Sequence, residues 1–132
     1  MKIFIDTNIF LDLILKREKY QEALLIFNAI EKNIFDASIL DITILNIDYI
    51  AKKQVRNTDA FLSTINQLFT VLGASNVSID KALNIDNNDL EDNLQYICAK
   101  EAGCEVIITN DKNFYSETIE KMTSMEFVSK YL

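Results

Sequence analysis

Three aspartates are the residues with which this chain could do chemistry. Asp6 ends the apolar run of residues 3–5, Asp111 closely follows the apolar run of residues 106–108, and Asp92 comes in the first turn of a predicted helix. Carboxylates from separate parts of a chain are the oxygen ligands that hard divalent metals such as Mg²⁺ require. A cation held in this way can activate water and stabilise the charge that develops on a phosphodiester. The three aspartates therefore favour metal-dependent hydrolysis of a phosphate ester.

Each of these aspartates also has a purely structural interpretation. A lone Asp between a strand and a helix, such as Asp6, often only caps the helix. Asp92 in a first turn complements the helix dipole without any further role, and Asp89 before it is a plausible N-cap that would support the same turn. At about 100° per residue, Tyr96 and Ala99 flank Asp92 on a face suited to close packing beside a site. Simple amphipathicity would give a similar pattern, so the two interpretations stay open.

Asn46 is the fourth candidate, on a helix predicted over residues 39–55. The apolar residues 39, 42, 45, 49 and 50 share one arc of that helix, and Asn46 lies in the middle of the arc. A polar side chain in such a place must be hydrogen-bonded or must face a cavity. Asn46 is therefore either a satisfied core amide or a residue of the site. Asp48 points about 200° away from it and is expected to be solvated, together with Asp41.

The elements that must position these residues alternate between buried strands and helices. The predicted strands cover residues 3–5, 35–38, 77–79 and 106–108, with a short edge strand near residue 122. The predicted helices cover residues 9–16, 20–32, 39–55, 58–72 and 90–102, followed by a C-terminal helix. This alternation predicts an α/β fold over residues 1–132, one domain with a parallel sheet of four or five strands. If their strands are neighbours, Asp6 and Asp111 lie at the same edge of the sheet.

The composition limits the classes of function. The 132 residues include no His, two Cys and two Gly, which excludes histidine catalysis, the usual zinc sites and a glycine-rich phosphate loop. A net charge of −7 argues against a broad surface that coats nucleic acid, but not against a nuclease whose carboxylates hold a metal. Without a long apolar segment or an export signal, the protein is expected to be cytoplasmic, away from membranes, with Cys98 and Cys104 reduced.

Three segments then match a known pattern in order and spacing. Residues 5–12 contain Asp-Thr-Asn at the start of a helix, residues 91–99 contain an Asp followed seven residues later by Ala, and residues 107–114 contain Thr-x-Asp before an aromatic residue. Together they resemble the PIN-domain family, small Mg²⁺- or Mn²⁺-dependent nucleases that include the toxins of type II toxin–antitoxin systems. The likeness covers almost the whole chain.

The resemblance implies a three-layer α/β/α fold and an endoribonuclease that cleaves RNA with Mg²⁺ or Mn²⁺. It implies a toxin restrained by an antitoxin protein, and a homodimer. It also implies that the three aspartates are the metal-site carboxylates, which receive support through hydrogen bonds from a set of polar neighbours: Thr7, Asn8 and Thr109.

One position departs from the resemblance. The family usually has a Glu on the helix after the second strand, where this chain has Asn46. An amide brings no charge and cannot act as a base, so we expect weaker metal binding. The alternative function is therefore a PIN-fold binding or regulatory module that has lost catalysis. A receiver-like signalling domain also uses Asp at strand ends, but the order of motifs here does not supply its Lys or its phosphate-accepting Asp.

Two groups of basic residues are candidates for contact with RNA phosphates. Lys52, Lys53 and Arg56 follow the Asn46 helix, and Lys16 and Arg17 end the first helix. Basic residues position a nucleic-acid backbone, but they also commonly end solvated helices. Both interpretations stay open for these residues.

Overall fold

The computed structural model describes all 132 residues and contains a central five-stranded sheet with helices on both faces. The elements in chain order are β1 (Lys2–Ile5), α1 (Thr7–Ile14), α2 (Tyr20–Glu31), β2 (Asp36–Leu40), α3 (Asp41–Ala51), α4 (Asp59–Leu68), β3 (Thr70–Leu72), α5 (Asn76–Leu83), α6 (Leu90–Glu101), β4 (Val106–Ile108), β5 (Glu120–Met122) and α7 (Ser124–Tyr131). None of the helices combines the length and the apolar character that a membrane crossing requires.

All pairs of neighbouring strands are parallel, in the order β3-β2-β1-β4-β5. The chain builds outward from β1 to β3 and then returns to place β4 on the other side of β1, where Ile5 pairs with Ile108. In open α/β sheets, the ligand crevice forms at the carboxyl ends of strands where the strand order reverses. The predicted parallel sheet of four or five strands is confirmed, and its switch point lies between the two strands that precede Asp6 and Asp111.

The central strands are buried on both faces of the sheet. Ile3 and Ile5 of β1 pack into one core, and Phe4 between them packs into the other, because successive strand side chains point to opposite faces. Ile107 of β4 likewise lies on the opposite face from its two neighbours. Helices α1, α2, α3, α4 and α7 cover the first core, and α5 and α6 cover the second. This is the three-layer arrangement that the resemblance implied.

Two boundaries differ from the prediction on the β2–β3 side of the sheet. Ile39 and Leu40 belong to β2 and not to the following helix, since each is fully buried on one face of the sheet. The helix predicted over residues 58–72 ends at Leu68, and the strand β3 follows almost at once. Gly73 therefore follows a strand, and it does not end the helix.

The strand predicted over residues 77–79 is wrong, because these residues lie in α5. Ser75 is the N-cap of α5, and it forms a reciprocal capping box with Ser78. Val77 and Ile79 are 58% and 40% exposed, so they have no place in a buried sheet. The two hydrogen bonds at the helix start outweigh the weak strand preference of two β-branched residues.

Candidate active site

Asp6 lies at the end of β1 and is only 3% exposed. Thr109 Oγ1 donates a hydrogen bond to Asp6 Oδ2 at 2.9 Å, and Gln95 Nε2 lies 3.4 Å from Oδ1. Asp6 occupies the N-cap position of α1, but its side chain makes no capping hydrogen bond, so the interpretation as a simple cap is wrong. Burial raises the pKa of Asp6 to about 6, and the hydrogen bonds from Thr109 and Gln95 partly oppose this rise.

Asp92 is the second buried carboxylate, in the first turn of α6. Its backbone N–H donates to Asp89 Oδ1 at 3.0 Å, which confirms Asp89 as the N-cap. Burial, and then the negative charges of Asp6, Asp89 and Asp111, raise the pKa of Asp92 to about 8. The structure therefore brings the three aspartates singled out in the sequence together, and the charges of Asp6 and Asp111 oppose the ionisation of Asp92.

Thr109 connects the two acids that follow β1 and β4. Its hydroxyl donates to Asp6 and accepts a hydrogen bond from the backbone N–H of Asp111 at 3.1 Å. The Asp111 carboxylate in turn accepts a hydrogen bond from the backbone N–H of Asn113 at 2.9 Å. The buried Thr109 hydroxyl therefore orients both the Asp6 carboxylate and the backbone of Asp111 at the switch point.

Thr7 and Asn8 lie at the start of α1, but their side chains form no hydrogen bond with the carboxylates. The Thr7 hydroxyl is buried and lies 2.9 Å from the hydroxyl of Thr43, so it joins α1 to α3. Asn8 is exposed in the first turn of α1. The structure thus gives Thr7 a contact between helices, and the support predicted from Asn8 stays a prediction.

Asn46 lies half-buried on α3, outside the buried face of that helix. Leu45 and Tyr49 are 69% and 63% exposed, so the apolar arc predicted around Asn46 is wrong. The residues of α3 that are buried are Thr43, Ile47 and Ala51. Asn46 Nδ2 donates a hydrogen bond to Glu91 Oε1 at the start of α6. Asn46 is therefore a satisfied amide that lies beside the acidic site.

The predicted basic residues lie at the C-terminal ends of α1 and α3. Lys52 forms an ion pair with Asp48 at 3.8 Å, Lys53 lies 4.6 Å from the centre of the Tyr49 ring, and Arg56 is exposed. Lys16 and Arg17 are exposed just after α1. Asp48 also accepts a hydrogen bond from the buried hydroxyl of Thr58 at 2.6 Å, so it is not simply solvated as predicted.

Two other lysines lie beside Asp111. A cleft of about 200 Å³ is lined by residues that include Thr109, Asp111, Lys112 and Lys121. Lys121 Nζ donates to the carbonyl oxygens of residues 112 and 114, whereas the Lys112 side chain is exposed. The sequence analysis did not single these lysines out, because the strand β5 had to pair with β4 before Lys121 could come near the site.

The donors at this site fit a hard divalent cation. No three acidic, His or Cys side chains are already arranged to hold a metal ion. The charges of Asp6 and Asp111 nevertheless oppose the ionisation of Asp92, and Gln95 Oε1 is a buried acceptor without a hydrogen-bond partner. A cation would relieve both conditions, since Mg²⁺ and similar ions take carboxylate and amide oxygens as ligands.

Glu91 and Gln95 are the site residues that the sequence analysis missed. Both lie in α6, Glu91 one residue before Asp92 and Gln95 three residues after it. Positions three and four apart share a helix face, so this spacing was a signal that Gln95 follows Asp92 into the site. The contact of Glu91 with Asn46 requires the packing of α3 beside α6, which no local pattern reveals.

Comparisons with known proteins agree with this architecture. A family model described as PIN domain matches residues 2–113. The Ribonuclease VapC1 of Aquifex aeolicus (strain VF5) is 30% identical over 139 aligned positions, which cover 98% of this chain and 95% of that protein.

Two solved structures share the fold. VapBC2 from Rickettsia felis, bound to a DNA fragment from its promoter, matches with a TM-score of 0.64 and 14% identity, covering 93% of this chain and 98% of that one. FitAB bound to an IR36 DNA fragment matches with a TM-score of 0.62 and 13% identity, covering 92% and 94%. At such low identity the likeness to these two structures concerns the fold alone.

Proposed function

The chain belongs to the PIN-domain family, and from this premise we propose that it is a metal-dependent endoribonuclease. The observation that carries the proposal is that Asp6 and Asp111, joined through Thr109, lie at the switch point of the sheet together with the buried Asp92 of α6. The relative named Ribonuclease VapC1, which matches along nearly the whole chain, supports RNA as the substrate. The expected products carry 5′-phosphate and 3′-hydroxyl ends.

In this proposal Asp6, Asp92 and Asp111 hold Mg²⁺ or Mn²⁺. When bound, the cation supplies positive charge at the scissile phosphate and lowers the pKa of a water molecule. The protein itself contributes orientation, because Thr109 holds the Asp6 carboxylate and the backbone of Asp111 in fixed positions. Burial of Asp6 and Asp92 strengthens their attraction for a cation, since less water screens it.

We propose the toxin of a toxin–antitoxin pair as the physiological setting. The family resemblance and the names of the relative and the structural neighbours, VapC1, VapBC2 and FitAB, support it. An acidic site in a chain of net charge −7 suits an antitoxin that presents a basic segment. A homodimer and a cytoplasmic location belong to the same proposal, as do phosphate contacts by the basic residues after α1 and α3.

The test is cleavage of a mixed set of structured and single-stranded RNAs during Mg²⁺ and Mn²⁺ titrations. We expect metal-dependent cleavage by the wild type, abolished by EDTA and reduced about 100-fold or more in Asp6→Asn. Asp80→Asn is the matched control, because Asp80 is exposed on α5. Cleavage that persists in EDTA, or that Asp6→Asn retains in full, would contradict the proposal.

A binding module without catalysis is the second candidate function. It is favoured by the neutral side chain of Asn46 and by the incomplete ligand set of the aspartates. It predicts that the wild type cleaves no RNA at any metal concentration, and that cleavage appears only in Asn46→Glu. Cleavage by the wild type would exclude it.

A further inference from the structure

Glu91 lies in the first turn of α6, next to Asp92 and one helical turn before Gln95, which contacts Asp6. Its carboxylate accepts the hydrogen bond from Asn46 Nδ2. Its side chain is half-buried between α3 and α6. Glu91 is thus a fourth acidic side chain at the site, held from the α3 side.

The amide of Asn46 suits a carboxylate that must stay in place. A hydrogen bond donated to a carboxylate restricts its rotamers. Asn46 itself carries no charge, so it adds no repulsion to Glu91 or Asp6. The pair therefore presents one oriented carboxylate to the site.

Gln95 provides independent support for a ligand at this place. It lies one helical turn after Glu91, is fully buried, and directs Nε2 toward Asp6. Its Oε1 is the buried side-chain acceptor that has no hydrogen-bond partner. Buried acceptors are nearly always satisfied, and a cation is a partner that both this oxygen and the surrounding carboxylates accept.

We propose that Glu91, oriented by Asn46, is a further carboxylate of the divalent-cation site that Asp6, Asp92 and Asp111 form. This inference rests on the proposed function, because it extends the same site. In this proposal Asn46 does not simply replace a metal ligand with a neutral side chain. It is a positioning residue for the carboxylate of Glu91 on α6. The weaker metal binding expected from Asn46 in the sequence then does not follow.

The test is Mn²⁺ binding to the metal-free protein, followed through the electron paramagnetic resonance signal of free Mn²⁺ at pH 8. We expect Glu91→Gln to raise the Kd about tenfold or more. Glu105→Gln is the matched control with the same change of charge, because Glu105 is exposed just before β4, at the opposite edge of the sheet. Its Kd should stay within about twofold of wild type.

An exchange variant tests the pairing of the two positions. Asn46→Glu combined with Glu91→Gln keeps one carboxylate and one amide in contact, and it should recover the wild-type Kd to within about threefold. Unfolding in EDTA, followed by circular dichroism, verifies that every variant is folded.

The inference is overturned if Glu91→Gln binds Mn²⁺ as tightly as wild type, or if Glu105→Gln loses as much affinity. An exchange variant as weak as Glu91→Gln would likewise overturn the positioning by Asn46. If the wild type binds no more tightly than Asp6→Asn, the cation site of the proposed function fails as well. Tight wild-type binding with an unchanged Glu91→Gln rejects this inference alone.

Discussion

Asp6 on the strand side of the site and Asp92 on its helix side are both buried, but the protein surrounds them differently. Asp6 accepts hydrogen bonds from Thr109 and Gln95, which partly offset the cost of burying its charge. Asp92 accepts no such bond from these donors, and three other aspartates oppose its ionisation. Their pKa values rise to about 6 and about 8 accordingly.

This difference indicates two tasks within one site. The strand side is held by hydrogen bonds that exist without a cation, so it fixes the geometry. On the helix side the protein does not compensate the charge of Asp92, so without a cation this carboxyl holds a proton up to about pH 8, and its ionisation costs stability. Stability given up at a functional site in this way is a common feature of enzymes.

The largest expected effect concerns Asp92 in metal-free protein. Its pKa is raised from 3.8 to about 8 in the folded state, so the folded protein binds the proton more tightly than the unfolded chain does. The contribution of Asp92 to stability is therefore most favourable below pH 4 and is lost as the pH rises to 8. Asp92→Asn should match wild type near pH 4 and exceed it at pH 8 by on the order of a few kcal/mol, measured by urea unfolding in EDTA.

Asp6→Asn sharpens the comparison. Its gain in unfolding free energy over wild type should be smaller than that of Asp92→Asn, and it should be complete by about pH 6 to 7. Asp80→Asn, in an exposed position on α5, should show no such pH-dependent gain. Equal gains in the Asp6 and Asp92 variants would contradict the distinction between the two sides.

The next effect is the stabilisation that a cation provides. Binding to the folded state alone adds about 3 kcal/mol at a hundredfold excess over Kd. Because protons compete for Asp92, the rise in Tm with Mg²⁺ should be larger at pH 8 than at pH 5. Thermal unfolding with and without Mg²⁺ measures this increase in Tm, and Asp92→Asn should lose most of it. A rise that is independent of pH would show that Asp92 does not compete with protons for the cation.

Thr109→Val tests the strand side. The substitution removes the donor to Asp6 and the acceptor for the Asp111 N–H, at a cost of about 1–3 kcal/mol. It should also raise the pKa of Asp6 further, measured by NMR titration of the carboxyl carbon. Thr64→Val is the control, since the Thr64 hydroxyl bonds only to a carbonyl on the exposed side of α4. An unchanged pKa of Asp6 would mean that Thr109 does not hold its charge.

The strand side of the site could be predicted well from sequence, and the reason is burial. Residues 3–5 and 106–108 are short apolar runs that pack on both faces of the sheet, and such runs stand out in a sequence. Each run leads directly into its polar cluster, so the places of Asp6 and Asp111 followed from the strands alone.

The helix side and the β3 edge could not be predicted as well. Strand β3 has two exposed residues and one half-buried residue, and a single residue separates it from α4, so its pattern merges with that of the helix. The half-exposed Asn46 resembled a core position because the neighbouring Leu45 and Tyr49 are apolar yet exposed. Its partner Glu91 is 45 residues away along the chain, and only the tertiary packing of α3 and α6 brings them together.

The smallest expected effect concerns Thr7 and Thr43, which join α1 to α3 behind the carboxylates. Replacing either alone with Val leaves one buried hydroxyl without its partner and should cost about 1 kcal/mol in urea unfolding. Replacing both should cost less than the sum, because no unpaired hydroxyl remains. The pKa of Asp6 should not change in either variant, since the Thr7 hydroxyl pairs with Thr43 and not with the Asp6 carboxylate. A changed pKa of Asp6 in these variants would show that the hydrogen bonds around Asp6 extend into α3. The strand side and the helix side of the site would then be coupled through α3.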